Sequence, residues 1–199
     1  MIRILLVVSL LVTALPGVAA GLSPPRRVAS VNLSADEVLV EILPPERLVS
    51  VTRWADEVGT SNIVGRVPPS VFRIHKVDME RLIALSPDLV VVSEYTDADS
   101  LRLLERSGIR HHRMKGLSSL AGVRSAILDL AREVGATDRA GPVVARYDAT
   151  LRELDRRLAG ATRKRVLYWA GGMTAGGDTA IGSLIEGAGG INVGREMGV

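Results

Sequence analysis

Residues 78–93, DMERLIALSPDLVVVS, restrict the possible folds of this chain more than any other segment. The first half has the apolar side of a short helix. Asp78 can cap the start of this helix, because its carboxylate can accept hydrogen bonds from the free backbone N–H groups of the first turn. Pro87 keeps Ser86 out of the helical conformation and so ends the helix. Residues 88–92 then run apolar without alternation, which is typical of a strand covered on both faces. The segment therefore predicts half of a parallel α/β unit.

The rest of the chain shows the same alternation of strand-like and helical patterns. Ser34 and Glu37 form a capping-box pattern at the start of the first helix, where each side chain can bind the other's backbone N–H group. Strands separated by helices of this length predict parallel βαβ units with helices on both faces, and therefore the α/β class. Beyond the segment above, we predict helices over residues 34–43, 97–107 and 118–134, strands over residues 28–32, 48–52, 109–114 and 165–170, and a loop over residues 53–77.

A longer amphipathic helix is predicted from Pro142, which suits the first helical position, to Leu158. At 1.5 Å per residue it is about 25 Å long, the width of a small domain. Because it lies between two α/β segments, we interpret it as a connector between two lobes. An additional surface helix of a single domain is the alternative. The predicted domains are an N-terminal lobe over residues 21–140, a connector helix over 141–160 and part of a C-terminal lobe over 161–199.

The first 20 residues have the layout of a secretory signal peptide. Arg3 precedes an apolar run, and Val18, Ala19 and Ala20 offer small residues for cleavage. The run is shorter than the roughly 20 residues that span a bilayer, although an uncleaved anchor is an alternative. The chain contains no cysteine, so we expect no lipid attached to cysteine and no disulfide. These features predict a protein of the bacterial periplasm.

Composition and motifs argue against nucleic-acid binding and catalysis. The 25 basic and 22 acidic residues are dispersed, and aromatic residues make up only 3% of the chain, so stacking on bases has little support. The glycine-rich segment at residues 171–178, GGMTAGGD, lacks the spacing of a dinucleotide-binding loop. We therefore predict a binding protein rather than an enzyme, with a Rossmann-like enzyme as a weaker alternative.

Five segments in order resemble one protein family. The sequence is similar to the periplasmic substrate-binding proteins of ABC importers for vitamin B12, iron-siderophores and haem. The resemblance implies two α/β lobes joined by a long helix, with the ligand in the cleft between them and delivery to an inner-membrane permease. We expect a monomer. The matching segments are RVASVNLSADEVLVEI (27–42), RLVSVTRWAD (47–56), DMERLIALSPDLVVVSE (78–94), LERSGI (104–109) and RVLYWAGGMTAGGDTAIGSLIEGAGGINV (165–193).

The C-terminal lobe departs from the family pattern. Only about 35 residues follow the connector helix, too few to bury a core of their own. We expect the sequence to be a fragment of a longer protein, and a reduced form of the family is the alternative. A periplasmic binding or sensory protein without a transport role is a further alternative.

Ligands of open α/β sheets bind beyond the carboxyl ends of the strands, which places a candidate ligand site in this chain. The resemblance sets Trp54 where vitamin B12 binders place an aromatic side chain against their ligand; the alternative is a half-buried anchor of its loop. For Trp169 the alternative is packing inside the second lobe. The candidate ligand-binding residues are Asn32, Ser34, Arg53, Trp54, Glu94, Tyr95 and Trp169.

Glu80 is the candidate for docking on the permease. The resemblance implies one exposed acid on each lobe, each meeting arginines of the permease, and Glu80 matches the acid of the first lobe. Such charge pairs steer docking more than they add affinity. We expect Glu80 on the side of the lobe away from the cleft. The alternative is a solvated carboxylate near its own helix N-terminus.

The three histidines do not predict a resident metal site or cofactor. His111 and His112 are adjacent on a predicted strand, so their side chains point to opposite faces. A haem ligand from Tyr95 or His75 is chemically possible, because both residue types serve as axial ligands. We expect the bound metal to arrive within the ligand: cobalamin, a ferric siderophore or haem. Positive charge for an anionic siderophore would come from Arg53, Arg66, Arg73 or Lys115, and solvated surface roles are the alternative for each.

Overall fold

A computed structural model describes residues 23–75 and 78–199, so the predicted signal peptide, residues 1–20, lies outside the described residues. Single turns of 3₁₀ helix cover Pro45–Arg47 and Arg53–Asp56. The other elements are β1 (Val28–Ser30), α1 (Leu33–Ile42), β2 (Leu48–Thr52), β3 (Phe72–Ile74), α2 (Met79–Ala84), β4 (Leu89–Ser93), α3 (Ala98–Arg106), β5 (Arg110–Met114), α4 (Leu120–Glu133), α5 (Thr137–Leu158), β6 (Arg165–Val166), β7 (Trp169–Ala170), β8 (Met173–Thr174), α6 (Ala180–Gly187), β9 (Ile191–Asn192) and α7 (Val193–Glu196).

The main sheet has five parallel strands in the order β3-β2-β1-β4-β5. One face packs against α1, α4 and α5, where Val91 belongs to the same core as Leu39 and Leu130. The other face packs against α2 and α3, where Val90 and Val92 lie in a second core. The predicted α/β class and the strand covered on both faces are therefore confirmed.

Helix α2 begins and ends where the sequence predicts. The carboxylate of Asp78 accepts a hydrogen bond from the backbone N–H of Arg81 at 3.1 Å. Ser86, before Pro87, takes a φ of 48°, the one positive φ among the described non-glycine residues. The guanidinium of Arg27 donates to the backbone carbonyls of Leu85 and Ser86 at 2.7 and 3.0 Å, and so holds this turn beside the start of β1.

The predicted Ser34–Glu37 capping box is wrong. Asn32 caps α1 instead, because its side-chain oxygen accepts a hydrogen bond from the Ser34 N–H at 3.0 Å, and the helix begins at Leu33. The Glu37 carboxylate turns to another partner and accepts bonds from the backbone and side-chain N–H groups of Asn62, at 2.8 and 3.0 Å. Glu37 thus ties the loop after β2 to α1.

The predicted loop over residues 53–77 contains an unpredicted edge strand, β3. Phe72 pairs with Ser50 and Ile74 with Thr52, in parallel. The strand has three residues with a charged residue at its centre, too short and too polar for a strand-like pattern.

Helix α5 starts at Thr137, so Pro142 lies inside the helix and the prediction that Pro142 is its first residue is wrong. A proline here leaves the carbonyl of Asp138 without its usual N–H partner. Both residues are exposed, so water can satisfy that carbonyl. The helix packs beside α4, where the Tyr147 hydroxyl donates to the carbonyl of Leu120 at 2.7 Å.

The predicted strand over residues 165–170 is divided in two. β6 pairs in parallel with β9, whereas β7 pairs antiparallel with β8. Gly171 and Gly172 join β7 to β8 with φ values of 58° and 82°, a conformation that glycine adopts without strain and that suits a two-residue hairpin. The C-terminal segment contacts the main lobe where Ser183 Oγ accepts a hydrogen bond from the Leu120 N–H at 3.1 Å.

Within residues 23–75 and 78–199, none of the helices combines the length and the apolar character needed to cross a membrane.

Candidate ligand-binding site

The carboxyl ends of β2, β1 and β4 lie side by side, because these three strands are neighbours in the main sheet. The parallel arrangement brings the segments after them to one edge, which we call the binding edge. It carries six of the seven predicted ligand-binding residues: Asn32, Ser34, Arg53, Trp54, Glu94 and Tyr95.

Arg53 and Trp54 stand together on the 3₁₀ turn that follows β2. The guanidinium carbon of Arg53 lies 3.8 Å from the centroid of the Trp54 ring, within the range of a cation–π contact. Trp54 is 42% exposed. The turn therefore offers an aromatic surface with a positive charge stacked against it.

Arg73 holds the far end of this turn. Its Nε and Nη2 donate to the two carboxylate oxygens of Asp56 at 2.8 and 3.1 Å, and this contact lowers the pKa of Asp56. Its Nη atoms also donate to three backbone carbonyls, those of Val67, Pro68 and Val71, at 2.6–2.8 Å. Arg73 is thus occupied by the protein itself.

Arg66, the other loop arginine considered for an anionic ligand, also has a partner in the chain. It pairs with Glu41 of α1 at 2.6 Å, and the pKa of Glu41 is lowered, chiefly by this hydrogen bond. Of the arginines on or near the loop after β2, Arg53 is therefore the one stacked on an aromatic ring at the binding edge.

Asp36 holds the end of the turn that follows directly on β2. It was not predicted from the sequence. Its Oδ2 accepts hydrogen bonds from the N–H and the hydroxyl of Thr52, at 2.9 and 2.6 Å. Burial raises the pKa of Asp36 to about 6, against the lowering effect of the neighbouring Ser30 and Thr52 hydroxyls. Of these two, Thr52 donates to the carboxylate, whereas the Ser30 hydroxyl donates to the carbonyl of Asn32. The sequence did contain an indication of its role, because Asp36 lies three residues before Leu39 and so falls on the buried side of the predicted helix, where an acidic residue is unusual.

The loop after β4 has a fixed backbone and a free aromatic side chain. Arg113 of β5 donates from Nη2 to the carbonyls of Glu94 and Thr96, both at 3.1 Å. The Tyr95 N–H donates to the hydroxyl of Ser93 at 3.2 Å, while the Tyr95 side chain is 86% exposed. The tyrosine is therefore available to a ligand without a change of the loop.

Asn32 and Ser34 lie at the binding edge in different situations. The side-chain oxygen of Asn32 is used to cap α1, whereas Ser34 is exposed in the first turn of the same helix. A ligand over α1 would thus meet the Ser34 hydroxyl and the first turn of α1.

Trp169, the seventh predicted ligand-binding residue, lies on β7 in a separate two-stranded sheet. Its side chain is 66% exposed, and its part in ligand binding stays a prediction, with packing inside a second lobe as the alternative.

Glu80 is exposed in the first turn of α2. Because α2 follows the carboxyl end of β3 and runs back toward the start of β4, its first turn is the end nearer to the binding edge. The expectation that Glu80 lies on the opposite side of the lobe is therefore wrong.

None of the three histidines lies in the segments that follow β1, β2 and β4, although His75 follows β3, the strand next to β2. His111 and His112 are on β5, and burial lowers the pKa of His112. His75 is exposed after β3. Among the described residues, no cluster of three or more histidine and acidic side chains is arranged to hold a metal ion.

The chain is similar in sequence to known binding proteins. The sequence profile of a family described as periplasmic binding protein matches residues 28–197 of the chain. The chain is 28% identical over 188 residues to a cobalamin-binding protein of Halobacterium salinarum, an alignment that covers 88% of this chain and 48% of the relative. The chain therefore spans about half the length of the curated relatives it matches.

Solved structures share the fold. A possible iron-binding periplasmic solute-binding protein from Staphylococcus epidermidis superposes with a TM-score of 0.73 at 16% identity, over 87% of this chain and 69% of the other. The periplasmic vitamin B12 binding protein of Vibrio cholerae gives 0.67 at 18% identity, over 88% and 69%. A periplasmic heme binding protein from Pseudomonas aeruginosa gives 0.66 at 24% identity, over 85% and 63%.

Proposed function

The chain belongs to the periplasmic binding protein family, and from this premise we propose that it captures a metal-chelate nutrient and delivers it to an inner-membrane ABC permease. The ligand class is cobalamin, a ferric siderophore or haem, in keeping with the cobalamin-binding relative in Halobacterium and with the vitamin B12 and heme binding proteins of similar fold in Vibrio and Pseudomonas. Export to the periplasm, through the segment of residues 1–20, is part of the proposal.

The observation that carries the proposal is the Arg53–Trp54 pair on its braced turn. A ligand that covers the exposed 42% of Trp54 removes roughly 100 Å² from water, worth about 2.5 kcal/mol at about 25 cal/mol per Å². Arg53, stacked on the ring, supplies a positive charge for an acidic group of the chelate. Tyr95, on the neighbouring loop, supplies a second aromatic surface.

The turn suits capture because its backbone is held before the ligand arrives. Asp36 binds Thr52 at one end and Arg73 binds Asp56 at the other. A site that is already ordered loses less conformational entropy on binding, so more of the contact energy appears as affinity. Such a site binds its ligand by shape, aromatic burial and a few polar contacts, without a chemical step.

Ligand titrations followed by tryptophan fluorescence test the proposal. Cobalamin, haem and a ferric siderophore are added separately to the folded chain, and at least one should quench the emission at a saturable concentration. Trp54→Ala should raise the Kd for that ligand about 60-fold, the equivalent of about 2.5 kcal/mol. Met197→Ala, which removes another exposed apolar side chain, from the C-terminal segment, is the control and should leave the Kd unchanged. Lack of response to all three ligands, or an unchanged Kd in Trp54→Ala, would contradict the proposal.

Glu80 is proposed to contact arginines of the permease. Its exposed position near the binding edge supports this role, since the proposed ligand would bind at that edge. Glu80→Gln should leave the Kd for the ligand unchanged and reduce ligand-dependent ATP hydrolysis by the reconstituted permease. Glu105→Gln, at an exposed acid of α3, is the control. If Glu80→Gln weakens ligand binding as much as Trp54→Ala does, Glu80 belongs to the ligand site instead.

A further inference from the structure

Asp36 is an acidic group in an unusual position, enclosed in the core at the carboxyl end of the sheet. Its side chain has no exposed surface. Oδ2 accepts both hydrogen bonds from Thr52, while Oδ1 is buried and has no hydrogen-bond partner among the described residues. A buried oxygen of this kind costs free energy, and the cost is greatest when the carboxyl group is charged.

The partner of Asp36 connects it to the binding edge. Thr52 is the last residue of β2 and directly precedes the 3₁₀ turn of Arg53 and Trp54. Both bonds that Asp36 accepts come from Thr52, one from the backbone and one from the side chain, so they fix the position and the direction in which the chain enters the turn.

We propose that Asp36 is the positioning residue for Trp54, and that gain or loss of a proton on Asp36 changes how firmly the Arg53–Trp54 turn is held. The ionised carboxylate forms charge-assisted hydrogen bonds to Thr52, which are roughly twice as strong as neutral ones. Protonation weakens these bonds, and the turn becomes looser in acid. The consequence for ligand affinity rests on the proposed function, whereas the looseness of the turn does not.

The surroundings of Asp36 place this change in an accessible pH range. The groups that face it are the hydroxyls of Ser30 on β1 and Thr52 on β2, and the charge that acts on it is that of Glu37, its neighbour on α1. Burial outweighs the hydrogen bonds and raises the pKa of Asp36 to about 6. The ionised form therefore dominates at neutral pH and the protonated form below about pH 6.

Trp54 itself provides the measurement, because the chain has only two tryptophans. In a Trp169→Phe background all tryptophan emission comes from Trp54, and its quenching by acrylamide reports how accessible the ring is. Measured between pH 4.5 and 8 without ligand, the quenching constant should rise as the pH falls, with a midpoint near pH 6. Circular dichroism at each pH confirms that the chain stays folded.

Three variants in the Trp169→Phe background decide the origin of the transition. Asp36→Asn should abolish it. Thr52→Val, which removes one bond to the ionised form, should move the midpoint to higher pH. His75→Gln, which replaces the histidine that follows the strand next to β2, should leave it unchanged.

A transition that persists in Asp36→Asn, disappears in His75→Gln, or keeps its midpoint in Thr52→Val would overturn the proposal. If Asp36→Asn does not fold, the midpoint of Thr52→Val is sufficient: a shift to higher pH supports the proposal and an unchanged midpoint contradicts it. None of these results depends on which ligand binds, so failure here is distinguishable from failure of the fluorescence titrations with cobalamin, haem and a siderophore.

Discussion

Replacing Arg73 with lysine separates the charge of this side chain from its geometry. Arg73 makes five hydrogen bonds: two to the carboxylate of Asp56 and three to the backbone carbonyls of Val67, Pro68 and Val71. Lysine keeps the positive charge, but its single ammonium group cannot reach partners arranged around a planar guanidinium. Arg73→Lys should therefore release the loop of residues 67–71 and one end of the Arg53–Trp54 turn.

The expected loss of stability follows from the nature of these bonds. Each hydrogen bond to a carbonyl contributes about 0.5–1.5 kcal/mol net, and the partly exposed pair with Asp56 contributes about 0.2–1 kcal/mol. If the lysine keeps one of the five bonds, Arg73→Lys should lower the free energy of unfolding by about 2–3 kcal/mol.

Urea unfolding measures this loss, and Arg66→Lys is the matched control. Arg66 is a loop arginine that pairs with Glu41 and is 47% exposed, so its replacement should cost about 0.5 kcal/mol or less. A change in the urea midpoint at constant slope reports stability, whereas a change in slope reports altered compactness. Equal effects of the two substitutions, or a cost below about 0.5 kcal/mol for Arg73→Lys, would refute the assignment of Arg73 as the support of this loop.

Two further substitutions test the buried carboxylate of Asp36 and the close contact between Gly135 and Pro24. Folding raises the pKa of Asp36 from 3.8 to about 6, so between these two pH values the folded chain holds the proton and the unfolded chain does not. As the pH rises from about 4 to about 6, the free energy of unfolding should therefore fall by about 3 kcal/mol, and above pH 6 it should level off. Asp36→Asn should remove this component in urea unfolding at several pH values; an unchanged pH dependence would contradict the raised pKa. Gly135 has a φ of 63°, and a Cβ there would lie 2.7 Å from side-chain atoms of Pro24, so Gly135→Ala should cost more than about 1 kcal/mol in thermal or urea unfolding. Gly108→Ala, also at positive φ but with open space around it, should cost less, and equal costs would show that the contact with Pro24 does not matter.

The local patterns in the sequence predicted the elements whose stability depends on neighbours along the chain. Asp78 caps α2 as predicted, and Val90, Val91 and Val92 are fully buried on the two faces of the sheet. β3 was missed because its three residues pair with β2 through backbone hydrogen bonds, which carry no signal in the side-chain pattern. The division of residues 165–170 into two strands was missed although Gly171 and Gly172 mark a hairpin turn.

The candidate site was predictable in position but not in its supports. Parallel strands have their carboxyl ends at one edge, so Trp54 and Tyr95 could be assigned to that edge from the sequence. The contacts that hold their loops join residues that are 16, 17 and 19 positions apart, from Asp36, Arg73 and Arg113. Contacts of this kind depend on how strands are ordered in the sheet, which no local pattern encodes.

The contact at the start of the sheet bears on the order in which the chain folds. Asp88 accepts hydrogen bonds from the backbone N–H groups of Arg26 and Arg27, the latter across 61 residues of sequence. These bonds align β1 with β4, and β1 is the central strand of the sheet although it comes first among the described strands. The entropy of closing so long a loop must be lost before strand pairing compensates for it. The pairing of β1 with β4 therefore cannot form until the chain has been made as far as β4, and until then β2 and β3 are the strands of the sheet that β1 can assemble with.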